Sequence, residues 1–425
     1  MKHFSLPGFS LDLGSLWQHS VGLAKFNPLP MFQRAEKNLS EKFLNETLGF
    51  YHWPEKIPEL ELLEIQSLAK ELKSKFQGAL ICGIGGSHLG AASILEALGT
   101  TDDERSFPIF WLNNVDRNAM EKARAFVSQR KVATLLISKS GNTIETLSGF
   151  FHLSPYLDPD GIVIITDPKT GELRRWVNDH HYRSLPVPTN IGGRFSVLTS
   201  VGLLPLALGG INITKVLQGA QNLKKHLTSL SLENNPAYFY ALSSFWWDRE
   251  ENHNIQYLMP YQSQLKLLTD WYVQLWAESL GKKDAHGFSV GPTFVGALGS
   301  RDQHSLLQLF KEGPNNKLIG FMDLAPQANP LLVGKSPVSA PQFDYLTGHS
   351  FEELSSKALL ATQQSLESAK VPTYSFELNA LTPETLGAFI LFQEFACAIA
   401  GEFYQVNAFN QPGVEEAKQL LRSSL

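Results

Sequence analysis

Short apolar runs recur along the first half of the chain, at 78–83, 108–113, 133–138, 162–166 and 182–187. The intervals between them, at 87–98, 118–129, 143–153 and 171–178, are long enough for crossover helices. β-rich runs alternating with helical periodicity are the signature of a parallel sheet covered on both faces. This half predicts a five-stranded doubly wound unit. A second series follows, with strands expected near 254–259, 292–295, 317–322 and 373–377 and helices between them.

The stretch 195–214 is uncharged and long enough to span a bilayer, but it holds Gly202, Pro205, Gly209 and Gly210 among several Ser, Thr and Asn residues. That composition fits a buried helix with a turn, joining the two units, better than a membrane span. No close repeat or low-complexity linker separates the units, so they are expected to pack tightly. A last helix is expected from Gly413 onward, after the turn 409–412. The predicted fold is α/β: two doubly wound parallel sheets, each in a three-layer αβα sandwich, plus a C-terminal helix. The corresponding boundaries are an N-terminal extension at 1–50, a first domain at 51–205, a second at 206–400 and a C-terminal segment at 401–425.

Length and composition support this picture and narrow the partners. At roughly 150 residues per domain, 425 residues make two or three domains. Hydrophobic residues are 43 % and charged residues 18 %, an ordinary globular balance that argues against disorder. The net charge is −5, from 36 Lys+Arg against 41 Asp+Glu, and there is no basic run. Nucleic acid is therefore not expected as a partner. An anionic small molecule stays open, because a site needs local positive groups rather than a positive total. The two cysteines, Cys82 and Cys397, lie in apolar runs and read as small buried hydrophobes. Two cysteines cannot make a disulfide framework or a cysteine zinc site. Residues 1–7 lack the apolar block of a signal peptide. The expectation is a cytoplasmic chain without a membrane partner.

Two loops could hold a phosphate. The first, 83–90 (GIGGSHLG), follows an apolar strand and opens a helix. Its glycines let a ligand approach the backbone, and the helix start offers free N–H groups. A dinucleotide fingerprint fails at His88 and a P-loop fails at Ala91, so the loop reads equally as a tight strand–helix turn. The second, Ser138-Lys139-Ser140-Gly141-Asn142-Thr143, gathers three hydroxyls at a helix start. Asn142 with Glu145 could serve there as a simple capping box. A second glycine loop in the same unit tips the reading towards a phosphorylated ligand.

Groups for chemistry stand out in three places. In the helix 265–280, Leu268, Trp271, Tyr272, Leu275 and Trp276 make an apolar face, while Lys266, Asp270, Gln274 and Glu278 recur every four residues on another. Spacing alone reads that stripe as a solvated face. Glu278 departs from it: in the last turn, before Gly281, a carboxylate opposes the helix dipole, and between Trp276 and Leu280 it is a candidate base. Arg194, after Gly192-Gly193, could aim a fixed guanidinium at developing negative charge, or simply structure the domain junction. His304 begins a helix after the turn 299–300, and alone proves nothing. His180-His181 are adjacent rather than facing, and no metal-binding spacing occurs, so neither a metal nor a cofactor is expected.

Taken together, 83–90, 138–146, 192–202, 274–281, 299–305 and 409–418 resemble the glucose-6-phosphate isomerase family, in order and over nearly the whole chain. The strings Gly-Gly-Arg-Phe-Ser at 192–196 and Phe-Asn-Gln-Pro-Gly-Val-Glu-x-x-Lys at 409–418 are the specific part. The resemblance implies two sugar-isomerase domains in the compact bacterial form. It implies a cofactor-free isomerase that interconverts glucose 6-phosphate and fructose 6-phosphate, as a homodimer with shared active sites. By the same resemblance Glu278 is the base, Arg194 stabilises a cis-enediolate, and His304 with Lys418 assists ring opening, the histidine reaching across from the partner subunit. Gly86, Ser87, Ser138, Lys139, Ser140 and Thr143 match phosphate-side positions, and Gln274 and Gln411 match contacts to phosphate and sugar. Leu280, Asn410 and Thr189 depart from the family pattern without removing a catalytic group. Two alternatives stand beside this reading: a bifunctional glucose/mannose phosphate isomerase, and a non-catalytic phosphosugar-sensing module.

Overall fold

The computed structural model describes residues 2–99, 107–326 and 328–425. The chain opens with an antiparallel hairpin of β1 (His3–Leu6) and β2 (Phe9–Asp12). The first sheet follows, from β3 (Ala79–Cys82), β4 (Ile109–Leu112), β5 (Ala133–Ile137), β6 (Ile162–Thr166) and β7 (Arg183–Pro186). All its pairings are parallel and its order is β4-β3-β5-β6-β7. The second sheet uses β8 (Ile255–Pro260), β11 (Thr293–Gly296), β12 (Lys317–Leu324) and β13 (Thr373–Leu378), with β9 (Lys282–Lys283) and β10 (Ser289–Val290) as a separate small ribbon. Its order is β1-β2-β13-β12-β8-β11, parallel from β13 onward. The two predicted strand series are present within a residue or two. The sequence reading did not foresee the N-terminal hairpin, which extends the second sheet antiparallel to β13, Phe9 opposite Leu378 and Asp12 opposite Ser375.

Strands buried on both faces divide their side chains between two layers. In the first sheet Ala79, Ile81, Leu135, Ile137, Val163 and Ile165 join a large central core, while Leu80, Cys82, Leu136 and Ile164 face an outer one. In the second, Leu258, Leu318, Met322 and Phe376 join the same central core, and Tyr257, Met259, Ile319 and Phe321 face a third. The two sheets thus share one apolar middle layer. The uncharged stretch after Phe195 folds as expected into a buried helix (Ser200–Leu208), a turn at Gly209-Gly210 and the start of a second helix (Ile213–Ser229).

The middle layer is built around the helix Pro383–Phe403, which is buried on nearly every side. Among the described residues it is the helix long and apolar enough to cross a membrane, and 94 % of its apolar window lies inside the protein. It meets the helix Ile213–Ser229 at backbone contact. A Cβ on Gly219 would lie 1.9 Å from the Glu384 carbonyl oxygen, and one on Gly387 would lie 1.9 Å from that of Val216. Only paired glycines admit two helices this close.

The first sheet's strand order moves from β3 out to β4 and back to β5 on the other side. That reversal leaves a crevice beyond the carboxyl ends of β3 and β5, the usual ligand position in such sheets. The two phosphate-loop candidates leave from those two strand ends. In the second sheet, β8 leads through a short turn into the helix Lys266–Leu280, and β11 leads to the helix Gln303–Glu312.

Glu394 lies in the middle of the Pro383–Phe403 helix, fully buried, with neither carboxyl oxygen hydrogen-bonded to any described residue. Desolvation holds its pKa well above the ordinary value of 4.5, so the folded protein keeps it protonated. Above pH 4.5 the unfolded chain releases this proton and the folded one does not. Stability from this group therefore falls as pH rises above 4.5. Glu394→Gln is expected to remove that slope in urea unfolding free energies measured at several pH values from 5 to 7. An unchanged slope would contradict the protonated assignment.

Candidate active site

Arg194 sits on the short turn Gly193–Phe195, in the connection between β7 and the helix Ser200–Leu208. Its side chain is 2 % exposed, and every polar face of the guanidinium is engaged. Nε donates to Ser279 Oγ at 2.7 Å, and one terminal nitrogen donates to Glu278 Oε1 at 2.9 Å and to Gln411 Oε1 at 3.2 Å. The other donates to the carbonyl oxygens of Ala408 and, at 3.0 Å, Asn410. Burial pushes the guanidinium pKa down from its ordinary value and the Glu278 carboxylate counters part of that shift. The two sequence readings of Arg194, junction and charge stabiliser, describe the same position: it ties the end of the first unit to the Glu278 helix and to the C-terminal turn.

Glu278 ends the helix Lys266–Leu280, and its second oxygen accepts from Gln274 Nε2 at 3.3 Å. The four-residue stripe is not a solvated face. Lys266, Asp270, Gln274 and Glu278 are all half-buried, because the stripe turns towards the first unit's glycine loop. Gly85 has φ +59° and a Cβ there would lie 2.8 Å from Gln274 Nε2. A Cβ on Gly86 would lie 2.3 Å from the Gly193 carbonyl oxygen. The glycines thus let the loop press its backbone onto both the Gln274 helix and the Arg194 turn. Ser87 ends the same short turn, Gly85–Ser87.

The second loop also departs from the capping alternative. Asn142 Oδ1 accepts from the Glu172 N–H at 3.1 Å, stitching the loop to the neighbouring helix Glu172–His180. Thr143 occupies the cap position of the helix Ile144–Leu153 and makes no capping hydrogen bond. Ser138 Oγ lies 2.7 Å from Thr143 Oγ1 and 3.5 Å from Ser140 Oγ. Three hydroxyls therefore cluster at the start of that helix, where an anion is favoured. Lys139 turns elsewhere: its ammonium donates to the carbonyls of Thr189 at 2.9 Å and Ile191 at 2.7 Å, bracing the approach to Arg194. Burial lowers its pKa.

Glu278 opens onto a cleft of about 870 Å³ bounded by Gly281, Lys282, Asn407, Asn410 and Gln411. His304 and Lys418 are not joined to it by any hydrogen bond or ion pair among the described residues. His304 is exposed in the first turn of the helix Gln303–Glu312. Lys418 lies on the terminal helix Glu415–Ser424, which buries no residue, and pairs with Glu415 at 2.7 Å. No group of three or more His, Cys, Asp or Glu that could hold a metal occurs among the described residues.

Two residues of this neighbourhood escaped the sequence reading. Ser279, buried, holds Arg194, and a lone serine gives no signal of such a role. Lys282 donates to the carbonyls of Asn407 and, at 2.8 Å, Asn410. Burial and the Arg194 charge push its pKa down to about 8. Its signal was present, since it continues the spacing 266, 270, 274, 278 by one more step.

Comparison with known proteins bears on this geometry. Residues 70–424 match the model of a family described as Phosphoglucose isomerase. A glucose-6-phosphate isomerase of Carboxydothermus hydrogenoformans is 36 % identical over 408 residues, covering 91 % of this chain and 87 % of that one. A Thermus thermophilus structure, described only as a hypothetical protein, is 30 % identical and superposes with a TM-score of 0.87, covering 98 % of this chain and 99 % of the other. A Chlamydia trachomatis glucose-6-phosphate isomerase shares the fold at a TM-score of 0.75 and 22 % identity, covering 86 % of this chain and 73 % of its own.

The packing around Arg194 makes a prediction of its own. Arg194→Met removes the donor to Ser279, Glu278, Gln411 and the carbonyls of Ala408 and Asn410, and is expected to lower the unfolding free energy by about 3 kcal/mol in urea. A loss well under 1 kcal/mol would show that the ring of acceptors does not depend on the guanidinium.

Proposed function

The chain belongs to the phosphoglucose isomerase family, and on that premise we propose how its residues divide the interconversion of glucose 6-phosphate and fructose 6-phosphate. The enzyme is an aldose–ketose isomerase. Moving a carbonyl between C1 and C2 requires one base within reach of both carbons and fixed positive charge beside the intermediate. Glu278 is that base: it takes the proton from C2 of the open aldose, leaving a cis-enediolate, and returns it to C1. Arg194 stabilises the enediolate. The observation that carries this reading is the Arg194–Glu278 pair at 2.9 Å, in which Glu278 lines the cleft and the buried guanidinium holds both it and the C-terminal turn. Carbonyl transposition is redox-neutral overall, so the proposed route needs no redox cofactor.

The phosphate is assigned to the hydroxyl cluster of Ser138, Ser140 and Thr143, with the Gly86–Ser87 turn on its other side. Gln274 and Gln411 contact substrate from either end of Glu278. Lys139 supports these contacts through the backbone it braces. His304 and Lys418 open the sugar ring, with His304 supplied by the partner subunit of a homodimer. Its exposure in the first turn of the helix Gln303–Glu312 leaves the ring open to a neighbouring subunit. We assign 51–205 and 206–400 as the two sugar-isomerase domains, 1–50 as an extension whose hairpin completes the second sheet, and 401–425 as the segment bearing Lys418. We place the enzyme in the cytoplasm without a membrane partner, in line with its two free, buried cysteines and with the burial of its most apolar helix. No observation here favours mannose-phosphate tolerance or a sensing role.

Glu278→Gln is expected to bind fructose 6-phosphate while losing about 10²- to 10⁴-fold in turnover, followed in a coupled assay. Near-normal turnover would sink the assignment. Heterodimers of Glu278→Gln and His304→Ala chains are expected to recover partial activity, since one of their two shared sites carries neither change. Verified heterodimers with no recovery would place the histidine and the base on the same subunit.

A further inference from the structure

We propose that Lys282 is a positioning residue of the isomerase site, clasping the turn that carries Gln411 against the end of the Glu278 helix. The proposal rests on the reading of Glu278 and Arg194 as base and charge stabiliser, and deepens it. Lys282 follows Gly281, two residues past the end of the helix Lys266–Leu280 that carries Glu278 in its last turn, and it lines the same cleft. Its ammonium donates to the carbonyl oxygens of Asn407 and Asn410. The Asn410 carbonyl also receives Arg194 at 3.0 Å, and the intervening Ala408 carbonyl receives Arg194 alone. Two cations thus hold one short turn by its main chain, and the next residue along that turn, Gln411, meets Arg194 through its side chain. A lysine has three N–H donors, and two of these are spent on the turn.

The charges around Lys282 explain why it should report on activity. Glu278 faces it from its own helix, Arg194 from the Gly193–Phe195 turn, and the buried Cys397 thiol from the Pro383–Phe403 helix. Lys283 and Asp284 flank it along the chain and line the cleft. The turn 405–411 carries no titratable side chain, so its carbonyl dipoles alone offset the two neighbouring cations. Burial and Arg194 bring the ammonium pKa down to about 8, against 10.5 for an ordinary lysine. Raising the pH through that range removes the charge from the clasp and leaves the carbonyls with a weaker donor.

The test compares wild type, Lys282→Arg, Lys282→Met and Glu278→Gln with fructose 6-phosphate as substrate across about pH 6.5 to 9.5. Wild-type kcat/KM is expected to fall on the alkaline side with a midpoint near 8. Lys282→Arg, charged throughout, is expected to keep neutral-pH activity within about threefold and to lose that alkaline fall. Lys282→Met is expected to lower kcat roughly ten- to a hundredfold at pH 7 with KM little changed, and to lack the fall near 8. Wild-type kcat in Lys282→Met, or an unmoved midpoint in Lys282→Arg, overturns the proposal. If Lys282→Met fails to fold, the Arg variant alone decides. Near-normal turnover in Glu278→Gln would instead overturn the catalytic reading, whatever Lys282 does.

Discussion

A buried guanidinium must find an acceptor for every N–H it carries, and that requirement organises the catalytic end of this molecule. Arg194 draws its acceptors from two separate stretches of chain: Ser279 and Glu278 at a helix end, and the C-terminal turn, through the carbonyls of Ala408 and Asn410 and the amide oxygen of Gln411. Moving either of these segments leaves a buried donor without a partner. The same contacts that satisfy the arginine therefore fix the Glu278 carboxylate, the Gln411 amide and the positive charge in one frame. Stability and chemistry are here requirements on the same atoms, which is why a charged group is retained at a depth where burial opposes it.

The glycine loop supplies the second half of the frame by what it lacks. At Gly86 the main chain of the first unit lies against the Gly193 carbonyl with no room for a side chain. Close backbone contact lets the start of the helix Leu89–Ala97 and the Arg194 turn share one wall of the crevice. The hydroxyl loop reaches the same place from β5, its glycine and asparagine spent on the neighbouring helix and its serines and threonine left facing one another. The topological reversal between β3 and β5 brings the two loops side by side.

Much of this was legible because fully buried strands leave unbroken apolar runs, and because strings such as Gly-Gly-Arg-Phe-Ser are rare. What escaped did so for physical reasons. The N-terminal hairpin alternates Phe4, Leu6, Phe9 and Leu11 about a Pro7-Gly8 turn, a short signal that only pairing with β13 makes stable. Attention to the uncharged stretch 195–214 passed over Pro383–Phe403, where Glu384, Glu394 and Glu402 interrupt the apolar pattern and burial neutralises the middle one. The stripe on the Glu278 helix shows the limit of spacing as a guide. Periodicity establishes that polar residues share a face, but only the approaching glycine loop decides whether that face meets water or a ligand. Asn142 and Lys139 illustrate the same point, since each has the right chemistry for its expected task and is held by a partner distant in sequence. Spacing and periodicity join neither His304 nor Lys418 to Glu278; only the resemblance of motifs does.

The common apolar layer between the two sheets has a mechanical consequence. A cleft whose walls rest on one continuous core cannot gape like a clam, because separating the walls would expose the whole interior to water. The terminal helix Glu415–Ser424, which buries nothing and carries Lys418, stands outside that core.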